Sequence, residues 1–219
     1  PLYENLGDLS HKVTTASAAA QKYFDQGLRL TYAFNHDEAI AAYTQATRED
    51  STCAMCWWGI AYAMGPNINA PMDTAAYRPA YAAIQKAVEL APKATPYERD
   101  MIQAMAKRYG PEPVANRAPL DSAYAKAMKA VARKYPNDPE AQTLYSEALM
   151  DLTPWNYWDG RGTKPRAGTQ DLADGTPAVL VALMGVLLTT LVVKLAAMSA
   201  LNGSNGFEVS GVAPGEHAG

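Results

Sequence analysis

The stretch AQKYFDQGLRLTYAFNHDEAIAAYTQATREDS, residues Ala20–Ser51, contains two segments with the periodicity of an amphipathic helix. The first places an aromatic, a small and an aliphatic residue at i, i+4 and i+7, namely Tyr23, Gly27 and Leu30. The second repeats the small and aromatic pattern with Ala39, Tyr43 and Ala46. Asn35-His36-Asp37 interrupts the pattern between them. The stretch therefore predicts a helical hairpin whose small residues let two helices approach closely.

A second copy of this hairpin starts at Ala54 and differs from the first in its turn. Its helices carry Trp57, Ile60, Ala61 and Met64, then Ala80, Ile84 and Ala87. The spacing from Ala54 to Ala80 exceeds that from Ala20 to Ala39 by seven residues, and an Asn-, Gly- and Pro-rich loop at Gly65–Asp73 replaces the short turn. Such a loop is either a recognition element or a rigid connector that packs on its own repeat. We expect Asn67, Asn69 and Met72 to contact a partner.

A third hairpin and a final helix follow. Thr95-Pro96-Tyr97-Glu98 has the signature of a capping box, and it predicts a helix to about Tyr109. Gly110–Pro119 is a Pro-rich loop, after which Leu120–Tyr135 is predicted to be helical. Asn137-Asp138-Pro139 then caps a seventh helix that extends to about Leu152.

The small and aromatic positions of Ala20–Ser51 resemble the tetratricopeptide repeat. Three strings are also similar to a group of bacterial, mostly exported, tetratricopeptide proteins of poorly defined function: YFDQGLRLTYAFNHDEA (Tyr23–Ala39), CAMCWWGIAYAMGPNINAPM (Cys53–Met72) and EALMDLTPWNYW (Glu147–Trp158). This resemblance covers about residues 1–170. It implies an all-α fold, a tetratricopeptide-like α-α solenoid of about seven helices, and a cell-envelope, periplasmic location. It implies no established catalytic residues.

The last part of the chain has a different character. In residues 167–219 the charged residues are only Asp171, Asp174, Lys194, Glu208 and Glu216. The segment AVLVALMGVLLTTLVV at 178–193 has no charge, and the apolar span continues to Leu201. As a helix of about 1.5 Å per residue it is long enough to cross a bilayer. We therefore divide the chain into a repeat domain at 1–159, a linker at 160–177, a candidate transmembrane helix at 178–201 and a flexible tail at 202–219. A helix buried against a partner is the alternative.

Charge and sequence motifs argue against several classes of function. The net charge of −3 argues against nucleic acid as a partner, because phosphate binding requires a basic surface. No phosphate-binding loop, dinucleotide fingerprint or nucleophile elbow is present in the sequence. We therefore expect that the protein is not an enzyme and that it binds no cofactor. The carboxylates are interpreted as solvated helix faces.

Cys53 and Cys56 form the one redox-like motif. A local disulfide or packed thiols is the leading interpretation, and thiol redox or metal handling is the alternative, since no βαβ context or second ligand pair accompanies them. The histidines, His11, His36 and His217, have no metal-binding spacing.

Four tryptophans are the remaining candidates for packing or binding roles. Trp57, Trp58, Trp155 and Trp158 suit inter-repeat packing, and three of them, Trp58, Trp155 and Trp158, are also candidates for partner contact. The sequence therefore predicts a non-enzymatic protein-binding scaffold or accessory subunit, anchored to a membrane complex such as a respiratory or photosynthetic assembly. Self-assembly with the tail buried in a neighbouring copy is a further alternative.

Overall fold

The computed structural model describes residues Pro1–Lys164, and this part of the chain is all-helical. It contains seven α-helices: α1 Ala18–Tyr32, α2 His36–Glu49, α3 Ala54–Ala63, α4 Tyr77–Leu90, α5 Pro96–Met105, α6 Ala118–Lys134 and α7 Pro139–Met150. Short 3-10 turns at Thr74–Ala76, Ala91–Lys93 and Ala106–Arg108 border α4 and α5. For residues 1–164, the all-α prediction and the order of the seven helices are confirmed.

Local capping explains where several helices begin. Ser17 accepts a hydrogen bond from the N–H of Ala20 before α1, and Asp138 accepts one from Ala141 before α7. Thr95 and Glu98 form the complete capping box expected at α5. These side chains satisfy N–H groups that have no partner inside the first helical turn.

Tyr43 of α2 lies between α1 and α3 and is fully buried. A Cβ added at Gly27 of α1 would lie 2.7 Å from its ring, and one at Gly59 of α3 would lie 2.4 Å from it. Both distances are far below van der Waals contact, so the ring packs directly on the backbone of the two neighbouring helices. The small residue predicted at position 27 therefore permits the close approach of α1 and α2.

In both hairpins the fully buried aromatic lies one residue after Tyr23 or Trp57, the residue placed on the predicted helix face, and the burial of Trp58 agrees with its interpretation as a packing residue. Phe24 is buried and packs 5.5 Å from Tyr43 between ring centroids, whereas Tyr23 is only half-buried. Trp58 is likewise buried, while Trp57 is half-buried and donates its Nε1–H to the carbonyl of Ser51. Each pair is two consecutive aromatic residues, and helical periodicity alone does not select between them.

An N-terminal arm, residues 1–17, lies across the first helices and joins them to α5. The carboxylate of buried Glu98 accepts hydrogen bonds from the backbone N–H and the hydroxyl of Thr14, at 2.6 and 2.5 Å. Asp25 of α1 accepts from Ser10 and from the backbone of His11. The same glutamate thus caps α5 and holds the arm.

The predicted candidate transmembrane helix at 178–201, the tail at 202–219 and most of the linker at 160–177 lie outside the described residues. Within residues 1–164, no helix combines the length and apolarity needed to span a membrane.

Candidate functional site

A cleft of about 610 Å³ lies between the two irregular loops that interrupt the helical hairpins. Its walls come from three segments, within residues 66–74, 114–121 and 151–154. Its volume falls in the range of about 300–1,000 Å³ that is typical of ligand sites in proteins.

The first wall is the inserted loop, and Asn67 organises it. The side-chain oxygen of Asn67 accepts the N–H groups of Asn69 and Ala70, at 2.9 and 3.1 Å. Asn67 and Ala70 also exchange two backbone hydrogen bonds. The amide nitrogen of Asn67 lies 3.3 Å from Nε2 of His36, which ties the loop to the start of α2. With Ile68 buried beneath it, the loop is a fixed wall that is held by residues of the neighbouring hairpins.

Arg108 lies beneath this wall and is almost completely buried. Its Nη2 donates to the carbonyl of Pro66 at 2.7 Å and to Asp151 Oδ2 at 2.6 Å. Its guanidinium stacks 4.7 Å above the ring of Tyr124. A Cβ on Gly65 would lie 2.6 Å from the hydroxyl oxygen of Tyr109 and 3.0 Å from Arg108 Nη1, so a side chain here would have to displace the Tyr109 hydroxyl. The ion pair therefore joins the inserted loop to the end of α7.

Arg117 forms the second wall. Its Nη2 donates to the carbonyl of Arg108 at 3.0 Å and to Asp121 Oδ1 at 2.9 Å. Its Nη1 lies 3.2 Å from the sulfur of Met72. The guanidinium also lies 5.3 Å above the ring of Tyr77. One arginine therefore links the Pro-rich loop to the inserted loop.

Three polar atoms of the charged residues at the cleft lack a hydrogen-bond partner among the residues that the structure describes. They are Asp151 Oδ1, Arg117 Nε and Arg108 Nη1, and all are shielded from solvent. The Asp151 side chain is 5 % exposed. Burial raises the pKa of Asp151, Arg108 opposes this rise, and the carboxyl of Glu147 adds to it. A buried polar atom without a partner is costly, so such atoms mark places where a ligand or water is favoured.

A second constellation lies between α7 and the first hairpins. Tyr32 donates its hydroxyl to Glu140 and Tyr62 donates its own to Glu147, each at 2.5 Å. Burial raises the pKa of Glu140 to about 7, although the Tyr32 hydroxyl opposes the change. Burial also raises the pKa of Glu147. The adjoining cavity offers only about 20 Å³, which is room for about one water molecule, so we assign this constellation to packing.

The structure places three of the predicted contact residues at the cleft. Asn67, Asn69 and Met72 all line it, with Asn69 exposed. Trp155 and Trp158 follow the third wall and are 59 % and 49 % exposed. Trp58 is a correction: it is 1 % exposed and stacks on Tyr62 in the core, so it is not available to a partner.

Sequence reasoning missed the charged floor of the cleft. Arg108 and Asp151 have no spacing that distinguishes them, because their contact joins the turn after α5 to the end of α7. Arg117 and Asp121 form a local i,i+4 pair at the start of α6, a spacing that is also common on helix surfaces. The interpretation of the carboxylates as solvated is wrong for Asp151, whose side chain is buried. The available signal was the i,i+4 spacing of Arg117 and Asp121, which predicts that these two residues pair.

Cys53 and Cys56 are joined by a disulfide at the start of α3, and neither residue is exposed. Cys53 is also the N-cap, and its sulfur accepts the N–H of Cys56 at 3.2 Å. A buried, bonded pair offers no thiolate for nucleophilic or metal chemistry.

His11 lies 5.7 Å from the ring of Tyr97 between centroids, His36 contacts Asn67, and His217 lies outside the described residues. Within residues 1–164, no three potential metal-ligating side chains of the His, Cys, Asp and Glu types come together.

Comparison with known proteins adds no assignment. No family model matches the sequence, and neither the curated proteins nor the solved structures give a match.

Proposed function

We propose that residues 1–159 form a tetratricopeptide-like α-α solenoid that serves as a non-enzymatic scaffold, and that the cleft is its recognition site for a segment of a partner protein. The observation that carries this proposal is the cleft itself. Two irregular loops, both departures from the compact hairpin, meet around one cavity and are fixed there by the Arg108–Asp151 and Arg117–Asp121 pairs.

The solenoid interpretation is supported by the order of helix contacts. The first helix of each hairpin contacts the first helix of the next, α1 with α3 and α3 with α5. The buried aromatics Phe24 and Trp58 are also separated by 34 residues, the length of a tetratricopeptide repeat. Repeats of this kind bury their faces on their neighbours and present extended surfaces to partners.

The cleft has the make-up of a binding site. Its walls carry apolar side chains from Ile68, Met72, Val114 and Pro154, and its floor carries a few polar groups. Trp155 stands next to it with its backbone in the left-handed region, at φ 60°, and its ring in solvent. An exposed tryptophan held in a costly backbone conformation suits an anchor for a partner, because tryptophan is enriched among residues that dominate interface energies.

A plug variant tests this function. Peptides that bind the full chain are first selected from a random display library in mild detergent. Their affinity for the Ala115→Trp variant should be at least ten-fold lower than their affinity for the unmodified chain. Ala115 is exposed and lines the cleft, so the larger ring occupies the cleft without disturbing the core. Affinity is measured by fluorescence anisotropy.

Ala82→Trp is the matched control, because Ala82 is exposed on α4 and does not line the cleft. It should bind the same peptides as the unmodified chain. Equal binding to both variants, or a selection that yields no peptide, would refute the cleft as a recognition site.

We further propose that the apolar segment 178–201 anchors the chain to a membrane complex, with the repeat domain on the periplasmic side. The uncharged run at 178–193 supports this part of the proposal. Association of the full chain with phospholipid vesicles in a flotation assay is the expected result. A defined oligomer that stays soluble without detergent and does not float would instead favour burial of the segment in a neighbouring copy.

A further inference from the structure

Three buried polar atoms of the charged floor lack a partner among the described residues, namely the acceptor Asp151 Oδ1 and the donors Arg108 Nη1 and Arg117 Nε. Of these three residues, Asp151 and Arg117 line the cleft. The acceptor, Asp151 Oδ1, belongs to a side chain that is 5 % exposed and is fixed through its other oxygen by Arg108. The donor, Arg117 Nε, belongs to a guanidinium whose two other nitrogens are already engaged. A ligand in the cleft could therefore donate one hydrogen bond to Asp151 Oδ1 and accept one from Arg117 Nε.

Charge balance restricts what can fill these sites. Two guanidinium groups, Arg108 and Arg117, are paired with two carboxyl groups, Asp151 and Asp121, at 2.6 and 2.9 Å. A cation would be attracted by the carboxylates but repelled by both arginines. An anion would be attracted by the arginines but repelled by both carboxylates. Because a charged ligand would also lose its hydration in a half-enclosed site, a neutral group that both donates and accepts fits best.

We propose that the cleft recognises a peptide amide of the partner segment, whose N–H donates to Asp151 Oδ1 and whose carbonyl accepts from Arg117 Nε. This inference rests on the proposed function, because it names the chemistry of the segment that the cleft would hold. A primary amide alone would leave most of the 610 Å³ unfilled, whereas a short extended segment also supplies side chains for the walls of Ile68, Met72 and Val114.

The test uses small probes of matched size. N-acetyl-alanine-N′-methylamide is titrated into the ¹⁵N-labelled full chain, and backbone amide shifts are followed. Saturable shifts are expected at residues 67–72, 114–121 and 151. Methyl O-acetyl-lactate, the diester analogue of the same size that lacks both N–H groups, should bind at least five-fold more weakly. Acetamide should also bind more weakly, while acetate and methylammonium should give no saturable shift at these residues. Equal binding of the ester, tighter binding of a charged probe, or no saturable shift at the cleft would overturn the inference.

A variant of Arg117 tests the proposed hydrogen-bond donor separately from the acceptor. Arg117→Lys keeps the positive charge but removes the Nε–H, so affinity for the dipeptide should fall at least five-fold. Arg99→Lys is the control, because Arg99 also donates to a backbone carbonyl, that of Ala94 at 2.7 Å, and does not line the cleft. An unchanged spectrum away from the cleft verifies that each variant is folded.

The two proposals can fail independently. If selected peptides bind and Ala115→Trp blocks them, but Arg117→Lys and the ester bind as well as their parents, amide recognition is wrong and the scaffold function stands. If the dipeptide binds in the cleft but no protein segment is selected, the site stands and the scaffold function is wrong.

Discussion

At the scale of single residues, Tyr43 packs directly against two helical glycines, Gly27 and Gly59. Its ring fills the space that side chains at Gly27 and Gly59 would need, so two glycines and one aromatic hold three helices together. Position 27 was identified from its small residue and helical spacing. Gly59 was not, because the sequence does not reveal which side of α3 faces Tyr43.

Gly59→Ala should destabilise the protein by about 1–3 kcal/mol. Overpacking of a rigid core costs about this much or more, and the gain of up to about 1 kcal/mol from replacing a helical glycine offsets it only in part. The measurement is urea unfolding followed by circular dichroism.

Gly160→Ala is the control, because nothing lies within 4 Å of a Cβ there, and it should change stability by less than about 0.5 kcal/mol. Combining Gly59→Ala with Tyr43→Leu should cost less than the sum of the two single changes. A strictly additive double variant would contradict the direct contact.

Glu140 gives the protein a predicted dependence on pH. A carboxyl whose pKa is higher in the folded chain than in the unfolded chain holds its proton more tightly when folded. The contribution of Glu140 to the free energy of unfolding is therefore fully present below its pKa in the unfolded chain, about 4.5. It is lost as pH rises through its pKa in the folded chain, about 7. The shift corresponds to about 3 kcal/mol, which partial exposure reduces to about 1–3 kcal/mol.

Glu140→Gln should remove this loss, because glutamine imitates the protonated acid and still accepts from Tyr32. Its stability relative to the unmodified chain should rise by about 1–3 kcal/mol between pH 5 and 8, measured by urea unfolding at each pH. His36, whose pKa burial lowers, acts in the opposite direction but is common to both proteins. Glu89→Gln, at an exposed side chain, is the control and should give a flat difference. A flat difference for Glu140→Gln as well would show that its carboxyl titrates normally.

At the scale of elements, helix positions were predictable because their signals are local. Thr95 and Glu98 are three residues apart and cap the helix that they precede, and Asp138 does the same before α7. The inserted loop shows the limit of such signals. Its length followed from the spacing of alanines, but its position against Arg108 depends on residues more than 40 positions away.

The disulfide at the start of α3 should stabilise the protein by about 2 kcal/mol. It closes a short ring, so the chain-entropy model gives a value near the lower end of the usual range. Cys53→Ser with Cys56→Ala removes the covalent bond while serine can still cap α3. Urea unfolding without reductant should show this loss.

The same double variant should be insensitive to reductant, whereas the unmodified chain should lose about the same amount when its disulfide is reduced. Equal stability of the two proteins under oxidising conditions would mean that the bond contributes nothing to the fold.

At the scale of the whole molecule, hydrophobic periodicity predicted the helical hairpins but not the floor of the cleft. The core alanines of α2 and α4, such as Ala39, Ala46 and Ala80, repeat along one face and are fully buried. Arg108 and Asp151 come from separate elements, and only tertiary packing brings them together. Periodicity records which face of an element is buried, whereas pairing between distant charged residues leaves no local pattern.

The most direct measurement is a map of where a selected peptide contacts the full chain, by backbone amide chemical shifts in mild detergent. We expect the perturbed residues to cluster at 66–72, 114–121 and 151–158, around the cleft and the exposed tryptophans. Perturbations confined to other surfaces, with these three segments unchanged, would contradict it.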